Sequence, residues 1–175
     1  MYLISDGGVV TNTLDTIESI LLTKYLKDID GVKLDIRLSR DKVFVVSRYE
    51  ELHRFTNSIG LVSDYNYSYL RKIKFPSHIF KYYIPTLDEV LKSYNKSKII
   101  VLELYKPDEL DKLFIILVKY PYKYYFLSTK EINNKLIELD FDKLGTIINK
   151  DDIINSISNK DIYENTFLIK DNSTK

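Results

Sequence analysis

The sequence predicts an α/β fold with a mostly parallel sheet. Three observations lead there. Segments with strand periodicity alternate with segments of helical periodicity along the chain. Lys98–Leu104 (KIIVLEL) is an apolar run of strand length, the strongest buried strand in the sequence. Gly31–Thr56 holds two apolar runs, Val32–Leu38 and Val43–Val46, joined by the polar turn Ser39-Arg40-Asp41-Lys42. Six to seven strands are predicted, and periodicity alone leaves a barrel and an open sheet both standing.

Taken in order, Tyr2-Leu3-Ile4 reads as a short buried strand that ends at Ser5-Asp6-Gly7-Gly8, where the glycine pair permits a tight exit. Asn12 or Thr13 is a candidate cap for a helix to Lys27, with Leu14, Ile17, Ile20, Leu21 and Tyr25 at helical spacing. Gly31 breaks into the next strand. There Val32, Leu34, Ile36 and Leu38 alternate with Lys33, Asp35 and Arg37. If the apolar set faces covering helices, Lys33 and Asp35 point together to the other side of the sheet. Val43–Val46 is a second, β-branched strand.

From Arg48 to Phe75 the pattern is irregular, with a loop at Thr56–Gly60 and a helical turn at Tyr67–Ile73. Pro76 and Pro85 bracket another loop. Thr86 is a good helix cap, and Asp88 and Glu89 suit the first turn of a helix to Tyr94. In the strand Lys98–Leu104, Glu103 interrupts the apolar run; a buried carboxylate there is paired, metal-bound or protonated, or else it sits at a solvent-exposed strand end. Pro107 suits the first turn of a helix to Lys119, whose inner stripe is Leu110, Leu113, Phe114 and Leu117. A strand at Tyr124–Ser128, a helix at Glu131–Leu139 and a strand at Leu144–Ile148 follow. A short helix at Ile153–Ile157 and a strand at Thr166–Ile169 complete the pattern. Residues 1–170 read as one domain and 171–175 as a frayed tail.

Composition excludes several classes. The 175 residues carry 26 basic and 25 acidic side chains, a net charge of +1, so no nucleic-acid footprint is expected. No apolar run reaches the ~18 residues of a membrane span. The start, MYLISDGG, lacks a basic segment and a long apolar one, so no secretory leader is expected. With no cysteine, disulfides, zinc-thiolate sites and a thiol nucleophile are out, and a cytoplasmic location is expected. His53 and His78 are the only histidines, too few for a histidine-rich metal centre.

The order and spacing of these pieces resemble the glycerophosphodiester phosphodiesterase family from Ile4 to Tyr105. That family carries His-Arg-Gly after the first strand and Glu-Asn-Thr at the first helix; here the positions read Ser5-Asp6-Gly7 and Thr11-Asn12-Thr13. Its Gly-x-Glu-x-Asp, followed by Asp-Gly, is matched by Gly31-Val32-Lys33-Leu34-Asp35 and Asp41-Lys42. Its Val-x-x-His-Asp strand end becomes Val45-Val46-Ser47-Arg48-Tyr49, and its Leu-x-Arg-x-Thr is Leu52-His53-Arg54-Phe55-Thr56. Gly60, Ile84-Pro85-Thr86-Leu87 with Val90-Leu91, and Leu102-Glu103-Leu104 follow in the family's order.

The resemblance implies a TIM-barrel-like fold with its site at the C-terminal strand ends, here an incomplete or shortened barrel, since a full one takes about 200 residues or more. It implies two histidines as general acid and base and a divalent ion, Mg or Ca, held by two glutamates and an aspartate. The histidine positions fall on Ser5 and Arg48, and the metal positions on Lys33, Asp35 and Glu103. Serine does not give up its proton near neutral pH without a nearby base, and Arg48 stays protonated, so no catalytic residue is expected. Lys33 puts an ammonium where a carboxylate should meet the ion. The expectation is therefore that Lys33 or Arg48 takes the cation position and pairs Asp35 and Glu103, with no metal or other cofactor. The implied function is a degenerate phosphodiesterase-like protein that binds a phosphate-containing ligand through Lys33, Arg48, Ser5 and Asp6, or a partner. The alternative is an active metal-dependent enzyme, with Mg or Ca on Asp35 and Glu103 and with His53 or His78 brought into a rearranged site. Open strand edges in a shortened barrel call for a cover: a second copy of the chain, the tyrosine-rich helices or a modified last strand.

Overall fold

A computed structural model describes residues 2–8, 16–75 and 83–150, together with the backbone of 166–169. Seven strands form one sheet: β1 (Tyr2–Asp6), β2 (Gly31–Leu38), β3 (Phe44–Val46), β4 (Ile99–Leu104), β5 (Lys123–Ser128), β6 (Gly145–Asn149) and β7 (Thr166–Ile169). Their order is β6-β5-β4-β2-β1-β7, with β3 paired to β2. All pairings among β1, β2, β4, β5 and β6 are parallel, whereas β3 and β7 run antiparallel to their neighbours. With its helices the sheet makes a half-barrel, the shortened TIM-barrel-like arrangement that the family resemblance implies. The last strand, β7, lies along the edge of β1, one of the three covers expected for an open edge.

The period-2 pattern of the strands divides the sheet into two faces. Val32, Leu34, Ile36, Ile100, Leu102, Leu104, Tyr124 and Phe126 look outward into the main core. Five of them, Val32, Leu34, Ile100, Leu102 and Phe126, are fully buried, and each such side chain contributes roughly 1.5–3 kcal/mol. The helices α3 (Leu87–Ser93), α4 (Leu110–Val118) and α5 (Lys130–Glu138) pack there through Leu87 and Val90, Leu113 and Leu117, and Ile132 and Leu136. The inner face starts with a smaller apolar layer, Ile4, Ile99, Val101, Tyr125 and Leu127, and turns polar toward the C-terminal strand ends. Gly31 starts β2 because a Cβ there would lie 2.4 Å from the Ile99 carbonyl oxygen.

Local signals held in most places. Thr86 caps α3 with a full capping box: its hydroxyl accepts from the Glu89 amide at 3.1 Å, and the Glu89 carboxylate accepts from the Thr86 amide at 2.9 Å. Gly7 and Gly8 adopt φ of 74° and 110° at the exit from β1. Two helix starts differ from expectation. Helix α1 spans Ile17–Leu22 and is capped by Thr16, whose hydroxyl accepts from the Ser19 amide at 3.2 Å; Asn12 and Thr13 lie outside the described residues. Pro107 precedes α4 rather than opening it, because Glu109 turns left-handed (φ 58°) before the first helical residue, Leu110. The stretch after Arg48 is not merely loop. Leu52, Val62, Leu70, Ile73, Phe75 and Ile84 close with Val45 into a second small core, with a single helical turn, α2, at Tyr67–Leu70. Pro76, Ile153–Ile157 and Asp171–Lys175 fall outside the described residues.

Candidate functional site at the C-terminal strand ends

Strand register brings the charged residues together. Asp6 on β1 is opposite Lys33 on β2, and Asp35 on β2 is opposite Glu103 on β4. All four project to the inner face. The Lys33 ammonium lies 2.5 Å from Glu103 Oε2, 3.2 Å from each Asp35 oxygen and 3.1 Å from Asp6 Oδ1. Residue exposure is 8% for Lys33, 0% for Asp35 and 4% for Glu103, so the cluster is desolvated. Arg48, carried to the site from the end of β3, pairs Asp6 Oδ1 at 3.1 Å and donates to the Asp6 carbonyl at 2.9 Å. Lys150, just past β6, pairs the other oxygen of Glu103. Three carboxylates thus face three cations, which keeps the buried charges balanced.

Around this cluster Tyr105 donates its hydroxyl to Asp35. The Arg37 guanidinium lies 3.7 Å from the centre of the Tyr105 ring and also donates to the Arg48 carbonyl at 2.9 Å. These contacts set the protonation states. Burial opposes the Lys33 charge, but Asp35, Asp6 and Glu103 together outweigh it and hold the ammonium above its ordinary pKa. Glu103 is likewise opposed by burial, yet Lys33 and Lys150 pull it down to about 2. For Asp35 burial is the larger effect and raises its pKa against the pull of Lys33 and the Tyr105 hydrogen bond. Burial and the Asp35 charge push Tyr105 well up. At neutral pH these shifts keep Lys33 and Tyr105 protonated and Glu103 ionised.

Of the residues singled out in the sequence, Lys33, Asp35, Glu103, Asp6 and Arg48 meet here. It is Lys33, not Arg48, that bridges Asp35 and Glu103; Arg48 reaches Asp6. Ser5 is buried and donates its hydroxyl to the Gly8 carbonyl at 2.6 Å. On β1 it alternates with Asp6 and so belongs to the opposite face. His53 is exposed on the short 3-10 turn Leu52–Arg54; His78 lies outside the described residues. Sequence reasoning passed over Tyr105 and Lys150, and named Arg37 only for its place in the strand alternation. Period-2 counting finds them, since Tyr105 is two residues past Glu103, Arg37 two past Asp35, and Lys150 two past the inward Ile148.

A divalent ion does not fit these residues. A hard cation takes six or more oxygens, and the place between Asp35 and Glu103 is filled by an ammonium held firmly protonated. Among the described residues no group of three or more His, Cys, Asp or Glu is disposed to hold a metal ion.

Comparison with known proteins places the chain. Residues 12–171 match the glycerophosphoryl diester phosphodiesterase family. The chain is 41% identical over 68 residues to a glycerophosphodiester phosphodiesterase of Bacillus altitudinis, covering 36% of this chain and 27% of that protein. It is 29% identical over 91 residues to a glycerophosphodiester phosphodiesterase of Bacillus subtilis, covering 45% and 31%. Among solved structures, an Oleispira antarctica phosphodiesterase in complex with the product sn-glycerol-3-phosphate superposes with a TM-score of 0.73 at 20% identity, covering 83% of this chain and 63% of that one. The chain spans less than half the length of the curated relatives it matches. With 160 of its 175 residues inside the match, this half-barrel belongs to the glycerophosphoryl diester phosphodiesterase family.

Proposed function

We propose that this chain is a non-hydrolysing member of its family, in which a tethered ammonium stands in for the divalent ion. The observation that carries the reading is the Lys33 Nζ position, within 3.2 Å of carboxylate oxygens from Asp6, Asp35 and Glu103. An ion bound by oxygens can take a phosphate oxygen as a further ligand; an ammonium that donates to Asp35 and Glu103 and is ion-paired with Asp6 has little left to offer one. The family's proton-transfer positions hold Ser5, spent on Gly8, and Arg48, which stays charged. Both steps of phosphodiester cleavage, charge neutralisation and proton transfer, lose their agents together.

A phosphate-containing ligand at the strand ends belongs to the same reading, as a bound guest rather than a substrate. The related Oleispira antarctica phosphodiesterase was solved with sn-glycerol-3-phosphate. Here the ligand would meet Arg48 and Lys33, in competition with Asp6 for both, so its affinity is weak. The test is a hydrolysis assay on glycerophosphodiesters with added Mg2+ or Ca2+. The reading expects no turnover above background. Metal-dependent turnover that disappears in Glu103→Ala would establish an active enzyme instead.

A further inference from the structure

A cavity of about 230 Å³ lies between the β2–β3 hairpin and the start of α4, beside the charged cluster. Its floor is apolar, with Phe44, Leu104, Leu110 and Leu113, all buried members of the main core. Its rim is basic: Arg40, Lys42 and Lys106 are exposed there. Counting Arg37 on one wall, the lining carries four cations against Glu50 and Asp108, a net charge of +2. Glu50 is already engaged, 3.6 Å from Arg37.

Both walls are held in fixed conformations. On the hairpin side Lys42 is left-handed (φ 61°), and the Ser39 hydroxyl donates to Asp41 at 2.6 Å and accepts from the Val43 amide at 2.9 Å. On the other side Glu109 is left-handed, and Tyr105 is pinned between Arg37 and Asp35. A preformed hollow with an apolar floor and a few convergent charges is the usual form of a small-molecule site. The charged cluster makes no use of this one. It shares Tyr105 and Arg37 with the cavity, but its ions are already balanced.

We infer that this cavity binds a small organic anion. An apolar ring or short chain rests on Phe44, Leu104 and Leu110, and an acid group, phosphate or carboxylate, meets Arg40, Lys42 and Lys106. The inference stands whether or not the strand-end site turns over.

The test is a methyl NMR titration of the full chain with phenyl phosphate, phenylacetate and, as the uncharged comparison, phenethyl alcohol. The inference expects saturable shifts of the Leu104 and Leu110 methyls with at least one anion. Its Kd should weaken tenfold or more in the Lys42→Gln/Lys106→Gln double variant with the melting temperature unchanged. Tighter binding of phenyl phosphate identifies phosphate esters as the ligand source, and tighter phenylacetate identifies carboxylic acids. Should the double variant fail to fold, raising the salt from low to molar serves instead, and the anion's Kd should weaken by a similar factor. The inference is overturned if neither anion gives saturable shifts. It is also overturned if the alcohol binds as tightly as the anions, or if neither the variant nor salt changes the Kd.

Discussion

The Lys33 ammonium and the Glu103 carboxylate meet at 2.5 Å across neighbouring parallel strands, 70 residues apart in sequence. Neither residue can be removed alone without leaving a buried charge unmatched.

Lys33→Met removes the central cation and leaves Asp6, Asp35 and Glu103 crowded together with reduced compensation. Breaking a buried pair from one side costs about 3–5 kcal/mol. Urea denaturation at neutral pH should show a loss of that order. The loss should shrink in acid, where protonated carboxylates no longer need the ammonium. A variant as stable as the wild type would show that the three carboxylates do not depend on the Lys33 charge.

The acid limb of stability has a sign fixed by Glu103. Its folded pKa, about 2, lies below its ordinary value of 4.5. The group therefore contributes stability that is complete above pH 4.5 and is lost as pH falls toward 2. Asp35, shifted upward, works in the opposite direction and gains as it protonates. The expected urea midpoint falls across that window in the wild type and falls less steeply in Glu103→Gln. Parallel curves would deny Glu103 the role.

Tyr105→Phe deletes the hydroxyl that donates to Asp35 and leaves a buried carboxylate oxygen without that donor. A loss of about 1–3 kcal/mol in denaturant unfolding is expected. The aromatic face under Arg37 survives the change, so the loss reports the hydrogen bond rather than the stack.

Away from the site, Phe141 is fully buried, edge-on to Phe114 and Phe126 at 5.3 and 5.2 Å between ring centres. Phe141→Ala should cost about 3–5 kcal/mol by thermal or chemical unfolding. A much smaller loss would mean that α4 collapses into the gap.

The sheet was legible because its strands alternate so cleanly. Lys33 and Asp35 between Val32, Leu34 and Ile36 could only share the inner face, and the Thr86 box and the KIIVLEL strand named themselves. The second core under residues 48–84 was hidden because its apolar members are scattered singly among loop residues and converge only through tertiary contacts. The start of α4 at Leu110 was not legible because the Pro107 cue competes with a left-handed Glu109 that no local pattern announces. At the site, the cation swap was visible in residue types alone. Which cation bridges the acids depended on register: Asp6 opposite Lys33 leaves Arg48 at the outer carboxylate. Tyr105 and Lys150 were overlooked because the strand pattern was not carried past the last apolar residue.

The central claim is that a side-chain ammonium holds the place of the ion. The most direct measurement is anomalous diffraction from crystals soaked in Mn2+. The account predicts no peak between Asp35 and Glu103, with Lys33 Nζ density reaching both carboxylates. An ordered ion bridging those two acids, with the Lys33 side chain turned away, would contradict it.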